Sequence, residues 1–479
     1  MNPLYQLFLN NVIQTPNKIA VILNDIIYSY NDIYKMCNHF AQNIYQLTQG
    51  RAMLIAIAMS RKVEYIACVF AILRCGCTYL PVDCELPTER VHNILEQSKI
   101  SLLITDQNED YGFLDVKYNM HFLYKEINEI INIDLYYNRN PLAYVIYTSG
   151  STGCPNGVAI GIDALLSFVD AFSEAIHMKD NESVLAISNF SFDMSFVELI
   201  MPLLLGMRII MANDLERKMP TKLWKIISRY SPNIIQFTPS YYRFLLMGQP
   251  EYISLSSVKK IIVGGERVPL HLLKQLQRID GLQIYSAYGP TEATIWCTVG
   301  NITDSTYIHA GYPLKNCRLR ISEEGELYIS GTCLFSGYYL SEEKTKLKMR
   351  VIDGVQYYCT GDFVKLTENG QYIIHGRRDN QIKINGHRVE LEEIENTINE
   401  LFEIHCAVGF IHNQLILFYS GSMELKRNTV YNRLSERLPD YMIPVIMIKL
   451  DALPLNQNEK IDRLALNNLY LEGFSQDRH

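Results

Sequence analysis

Residues 147–157 read YTSGSTGCPNG, Tyr147 through Gly157, and this stretch decides how the fold is read. The apolar run Leu142-Ala143-Tyr144-Val145-Ile146 leads in, and Val158-Ala159-Ile160 leads out toward a helix. A strand that breaks into glycines and hydroxyls exposes backbone N–H groups and O–H donors together, and such a loop can wrap a phosphate chain. The same composition also makes ordinary surface turns, so the loop alone leaves both readings open. It lacks the GxxxxGK[ST] spacing and is not a Walker A loop.

A chain of 479 residues has room for about two to four domains and a large core. Its 48% apolar and 20% charged residues are those of a folded globular protein. A net charge of −7 with a pI near 5.9 argues against nucleic acid or an anionic membrane as the main partner. Apolar runs such as 201–212 are too short and interrupted to span a bilayer. The N-terminal MNPLYQLFLNNVIQ has no basic region and no small-residue cleavage site, so a soluble cytoplasmic protein is expected. The 11 cysteines include no CxxC pair, which points to reduced thiols rather than a zinc or disulfide framework.

Outward from the loop, residues 1–140 alternate helical and strand patterns. Helices are predicted at 32–46 and 63–73, and strands at 53–59 and 79–83, which implies a mostly parallel, covered sheet. A helix is predicted at 163–177, with Leu165, Phe168, Val169, Phe172 and Ile176 on one face. Residues 188–206 are apolar nearly all round and predict one buried helix with Asp193 at its start, where a carboxylate serves as a cap. Strands are predicted at 233–240 and 259–265, and a Gly-Pro turn follows Tyr288. Residues 307–377 are rich in short strands and turns. Beyond Arg377 the pattern gives a strand at 381–384 and a helix at 387–401, within a small separate α/β unit.

The motifs form an ordered set. ILRCGCTYLPVD (72–83), LAYVIYTSGSTGCPNG (142–157), FDMS (192–195), AYGPTE (287–292), GELYISG (325–331), YCTGD (358–362), GRRDNQIKINGHRVELEEIE (376–395), LPDYMIP (438–444) and NEKIDR (458–463) follow one another along the chain. In that order they resemble the adenylate-forming enzymes, and among them the amino-acid adenylation domains of nonribosomal peptide synthetases, here as a stand-alone domain. The resemblance implies an α/β protein. Residues 1–378 would be a large N-terminal domain of stacked α/β sheets with a β-rich subdomain. Residues 379–479 would be a small mobile C-terminal α/β domain, with Asp379 as hinge and Gly386 lining the route of a thiol.

The implied reaction has two steps. An amino-acid carboxylate attacks the α-phosphorus of ATP, and a phosphopantetheine thiol of a carrier protein then takes the acyl group. Thr148, Ser149, Gly150, Ser151, Thr152 and Gly153 would hold the outer phosphates. Glu292 would hold Mg2+, a hard cation suited to carboxylate oxygen, and Thr291 would contact the α-phosphate. Ala287, Tyr288 and Gly289 would also bind ATP, with Tyr288 stacked on adenine. Asp362 and Arg377 would hold the ribose, and Lys460 would offset the charge that develops on reaction. Taken singly, each of these has an ordinary alternative as a turn carboxylate, a core aromatic or a solvated lysine.

Aligned on the same motifs, the amino-acid pocket falls on Asp193, Met194, Val197, Gln236, Ile262, Gly264, Ala287, Ile295, Trp296 and Lys460. Asp193 would pair the substrate ammonium and Lys460 its carboxylate. Trp296, Met194 and Gln236 are bulky, and Gln236, Gly264, Ile295 and Trp296 together are similar to the family's glycine-selecting pattern. Glycine is the expected substrate, then alanine. Three positions depart from the family: Asn156 stands where the loop has lysine, Ser286 where an adenine-contacting asparagine is usual, and Glu459 replaces glycine. With no pantetheine-attachment motif visible, the acceptor is expected in trans. The competing expectations are an acyl- or aryl-CoA ligase of the same superfamily and a weakly catalytic nucleotide-binding module.

Overall fold

The computed structural model describes residues 1–100, 102–107, 117–119, 123–124, 132–133, 141–150, 155–247, 255–402, 404–421, 423–455 and 461–476. The chain divides into two compact units. One comprises Met1–Cys84, Leu95–Tyr147 and Gly157–Arg378; the other comprises Glu85–Ile94, Thr148–Asn156 and Asp379–His479.

The first unit holds a nine-stranded sheet in the order Tyr312–Pro313, Thr298–Asn301, Gln283–Tyr288, Lys260–Gly264, Ile234–Phe237, Ser183–Ala186, Arg208–Met211, Ile19–Leu23, Ile26–Ser29. The inner pairings are parallel and the outer ones antiparallel. Inner strands such as IIQF and KIIVG are buried throughout, as a sheet covered on both faces requires. A seven-stranded sheet runs Gly337–Tyr338, Asn156–Gly161, Leu142–Thr148, Thr78–Pro81, Leu54–Ala58, Leu102–Thr105, Lys117–Asn119. Helices Tyr30–Thr48, Val63–Arg74 and Ile162–Ala175 bury their apolar faces in a core that also takes residues from both sheets. A five-stranded sheet is built from Cys317–Ile321, Glu326–Gly331, Met349–Ile352, Val355–Leu366 and Tyr372–Arg377.

In the second unit, Gln381–Ile384 and His387–Glu390 form a hairpin. Helix Leu391–Phe402 follows, then a three-stranded sheet of His405–Ile411, Gln414–Ser420 and Ile446–Lys449. Leu391, Ile394, Ile398 and Phe402 enter this unit's own core with Val408 and Leu417.

Two sequence expectations are corrected. The helix predicted over 387–401 begins at Leu391, because His387–Glu390 is a strand. Asn385 and Gly386 have φ of 52° and 84°, which closes a two-residue hairpin turn and carries the chain back before any helix can start. The single helix predicted over 188–206 is two short ones, Met194–Leu199 and Met201–Leu204. Pro202 has no N–H to offer the carbonyl of Glu198, so it is tolerated only by starting a new helix.

Candidate active site

Asp193 heads the helix Met194–Leu199 with helical backbone angles, φ −61° and ψ −30°, and its side chain makes no capping bond. The cap reading of this carboxylate is therefore corrected. A cap residue must leave the helical region to turn its oxygen back on the first amides, and Asp193 has not. It is half-buried, and its charge is one of the influences that raise the buried Tyr144 phenol, after burial itself.

The chain reverses between the antiparallel strands Gln283–Tyr288 and Thr298–Asn301. Inside this reversal, Thr294 and Ile295 both adopt positive φ, 56° and 72°. For β-branched residues that conformation costs on the order of 1–3 kcal/mol each. It is held by Thr294 Oγ1 donating to the Cys333 carbonyl at 2.6 Å, by the Trp296 amide to Thr294 O at 2.9 Å, and by the Cys297 amide to Tyr288 O at 2.8 Å. The turn sends the Trp296 indole into the unit's interior, where it is 2% exposed.

The indole lies along Gly264. A Cβ added there would stand 2.6 Å from Trp296 Cη2 and 2.7 Å from the Ala287 carbonyl oxygen. Trp296 Nε1 donates to Gln236 Oε1 at 3.0 Å, and Gln236 Nε2 donates to the Met194 carbonyl and to Glu198 Oε1, both at 3.1 Å. Met194, Gln236, Gly264, Ala287 and Trp296 are thus brought into one contact set. Val197, Ile262 and Ile295 are buried beside them in the same core. A Gly264→Ala substitution must displace the indole, because the carbonyl on the other side cannot yield. It is expected to cost about 1–3 kcal/mol of stability, read as a lower urea midpoint; an unchanged midpoint would contradict this packing.

Glu198 was not anticipated from the sequence. It has no exposed surface. Oε2 accepts from the amides of Ile187 and Ser188, both at 2.8 Å, and Oε1 accepts from Ser188 Oγ at 2.5 Å as well as from Gln236. Burial raises its pKa, and those same donors pull it back down. Nearby, Arg61 places Nε, Nη1 and Nη2 on the carbonyls of Ala212, Ser188 and Ala186 at 2.7, 2.5 and 2.9 Å. A signal was available in the sequence: Glu198 is a lone carboxylate in an apolar run, and such a group is buried only when paired.

A second cluster gathers on the strands ending at Tyr288 and crossing at Asp362. Tyr288 Oη donates to Asp362 Oδ2 at 2.5 Å, and Arg377 Nη1 donates to Asp362 Oδ1 at 2.8 Å. Asp362 pairs with Arg377 in register on neighbouring strands, which is why the two meet. Burial and the Asp362 charge push the Tyr288 phenol far above its ordinary range. Glu292 is fully buried in the turn Thr291–Ala293 and accepts at Oε1 from Tyr338 Oη at 2.7 Å. Ser286 is buried on its strand.

In the second unit, Ser149 Oγ donates to the Arg388 carbonyl at 2.6 Å, and Thr148 Oγ1 reaches the Asn156 carbonyl at 3.5 Å. Arg90 Nη1 and Glu393 Oε1 form a buried pair at 2.6 Å. Burial raises the Glu393 carboxyl, while Arg90 and the Gly150 amide lower it. Asp379 is exposed at the unit boundary. Ser151, Thr152, Gly153, Glu459 and Lys460 lie outside the described residues.

The family model of the AMP-binding enzymes matches residues 8–339. Curated relatives include a dimodular nonribosomal peptide synthase of Bacillus subtilis, 30% identical over 97% of this chain and 21% of that protein. Gramicidin S synthase 1 of Brevibacillus brevis is 29% identical over 97% of this chain and 44% of its own length. The chain thus spans from about a fifth to under half of the length of these relatives. Among solved structures, a four-domain nonribosomal peptide synthetase bound to AMP and glycine is 27% identical, with a TM-score of 0.71 over 96% of this chain and 36% of that one. The Vibrio cholerae adenylation domain AlmE, solved with glycyl-adenosine-5'-phosphate, has the same fold at a TM-score of 0.84 and 20% identity over 98% of both chains. With the matched segment running from the first helix through the turn that places Trp296 and on to Tyr338, the chain belongs to the family of AMP-binding enzymes.

Proposed function

We propose that the chain activates glycine with ATP, forming glycyl-AMP and pyrophosphate, and passes the glycyl group to the phosphopantetheine thiol of a separate carrier protein. The observation that carries this reading is the filled space beside Gly264. Trp296, bonded to Gln236, lies along Gly264, where the family's pocket positions would direct a substrate side chain, so the smallest amino acid would be favoured by sterics rather than by attraction. Two relatives with glycine or a glycyl adenylate in their solved structures support it.

In the first step, a carboxylate oxygen of glycine bonds to the α-phosphorus and the bond to the bridging oxygen of pyrophosphate breaks. The residues would divide this work by position and charge. Asp193 would pair the ammonium. Thr291 would lie against the α-phosphate and the Thr148–Gly153 loop against the leaving phosphates, with Lys460 offsetting the developing charge. Asp362 would take the ribose hydroxyls on the lone pairs left by Tyr288 and Arg377, while the Tyr288 ring faces adenine. Asp379 would be the hinge between the two steps.

Among the described residues no group of three or more His, Cys, Asp or Glu could hold a metal. Glu292 offers one carboxylate with one oxygen held by Tyr338. That donor set fits Mg2+, which binds through one or two carboxylates and takes its remaining oxygens from phosphates and water. Bound there, the ion would neutralise charge on the pyrophosphate.

Pyrophosphate exchange into ATP separates the readings. Exchange with glycine but not with acetate, a fatty acid or benzoate is expected; exchange driven by an acid without an amine would make the chain an acyl- or aryl-CoA ligase. Asn156 tests the loop's role. Asn156→Lys adds a positive charge beside the phosphates and is expected to raise the exchange rate on the order of fivefold; a fall would show that this loop works without that charge.

A further inference from the structure

We infer that Glu198 is a positioning residue that sets the size limit of the substrate side chain, by fixing the amide orientation of Gln236 and through it the Trp296 indole. This rests on the glycine reading of the pocket. Glu198 has no exposed surface and Gln236 stands between it and the indole, so any effect on the substrate passes through these two side chains.

The logic is one of donors and acceptors. The Trp296 N–H can only donate, so it needs the Gln236 oxygen. That oxygen faces the indole only if the NH2 group faces the other way, where the Met194 carbonyl and Glu198 Oε1 both accept from it. A flipped amide would set its oxygen against two acceptors and its NH2 against the indole donor. Neither acceptor has a donor face, the Met194 carbonyl never and Glu198 when ionised, and Glu198 adds its charge to the pair. Its four acceptances, from Ile187 N, Ser188 N, Ser188 Oγ and Gln236 Nε2, leave one arrangement for the whole set. The backbone that supplies these donors is itself fixed by Arg61 on the carbonyls of Ala186 and Ser188.

Glu198→Gln keeps the volume and changes only this logic. The new amide must turn its oxygen to the Ile187 and Ser188 amides, and then presents NH2 to Gln236. Two NH2 groups then face each other, and Gln236 either shifts away from the new amide or flips at the cost of its bond to the Met194 carbonyl; both weaken its hold on the Trp296 N–H. An unanchored indole no longer seals the space beside Gly264.

The test measures pyrophosphate exchange with glycine and with alanine, and reads the indole directly. The chain has 2 tryptophans, and Trp224 lies in a different core cluster, so Trp224→Phe leaves Trp296 as sole emitter. In Glu198→Gln the glycine-over-alanine ratio of kcat/KM is expected to fall by about tenfold, through a gain with alanine, and Trp296 emission to shift and become more quenchable by acrylamide. Ser188→Ala, which removes one of the four donors, should move both readouts the same way by less. A selectivity ratio held within about twofold, or an equal loss with both amino acids, would overturn the inference. If Glu198→Gln does not fold, Ser188→Ala decides on the same criteria. If the wild type uses neither amino acid, the glycine reading falls by itself, and the emission of Trp296 alone decides whether Glu198 positions it: a shift supports the role and an unchanged spectrum removes it.

Discussion

Asp193→Asn is expected to lower kcat/KM for the amino acid by about a hundredfold or more while leaving the thermal midpoint within a few degrees. The two halves of this expectation have separate causes. Pairing a partly desolvated carboxylate with an ammonium is worth about 2–5 kcal/mol when one partner is removed, and asparagine keeps the shape while losing the charge. The structural cost is expected to be small because asparagine keeps the shape of the side chain and no helix cap is lost. Loss of a true N-cap would cost about 1 kcal/mol and lower the midpoint. Exchange kinetics and a thermal melt on the same preparation read both halves. Activity kept within about threefold, a difference of under 1 kcal/mol, would mean that the ammonium is held elsewhere.

Trp296→Ala is expected to reverse the proposed preference for glycine. Removing a buried indole deletes its packing and leaves a cavity, at about 3–5 kcal/mol of stability. It also strands the Gln236 oxygen, which no longer has a donor. In return, the volume beside Gly264 opens. Glycine should bind worse because it fills less of the enlarged site, and alanine or larger aliphatic amino acids should gain, so the selectivity ratio should move by more than tenfold, the discrimination of at least one methylene. Exchange with glycine, alanine and valine, done at a temperature where the variant is folded, checks this. A variant that still prefers glycine would place the size limit on some other residue.

Much of the fold was legible because its signals are local. The apolar strands IIQF and KIIVG, the amphipathic helix ending near Ala175 and the strand-to-loop break at Tyr147 each carry their pattern within a few residues. The Asn385-Gly386 turn is an equally local signal, because Asn-Gly favours a two-residue hairpin and so predicts a returning strand before the helix. The broken helix at Pro202 is a second case: the apolar pattern ran on, but the missing N–H of proline stopped the hydrogen bonding. Among the residues picked out by motif, Gln236, Gly264 and Trp296 do meet in the structure. What could not be read is what tertiary structure alone supplies. The positive φ of Thr294 and Ile295 is imposed by the bond to Cys333, 39 residues away in sequence. The Glu198 network joins the helix Met194–Leu199, the residues after strand Ser183–Ala186, the strand Ile234–Phe237 and the turn at Trp296, and no spacing rule reaches across them. Tyr288 offered an aromatic face in the sequence, whereas the structure adds a hydroxyl tied to Asp362.

The most direct test of the account is pyrophosphate exchange by the purified chain across all the proteinogenic amino acids at equal concentration. Exchange led by glycine, with alanine well behind and larger residues near background, is the predicted result. Exchange led by a large side chain, with glycine at background, would contradict the account, because it would show that Trp296 beside Gly264 does not set the size limit.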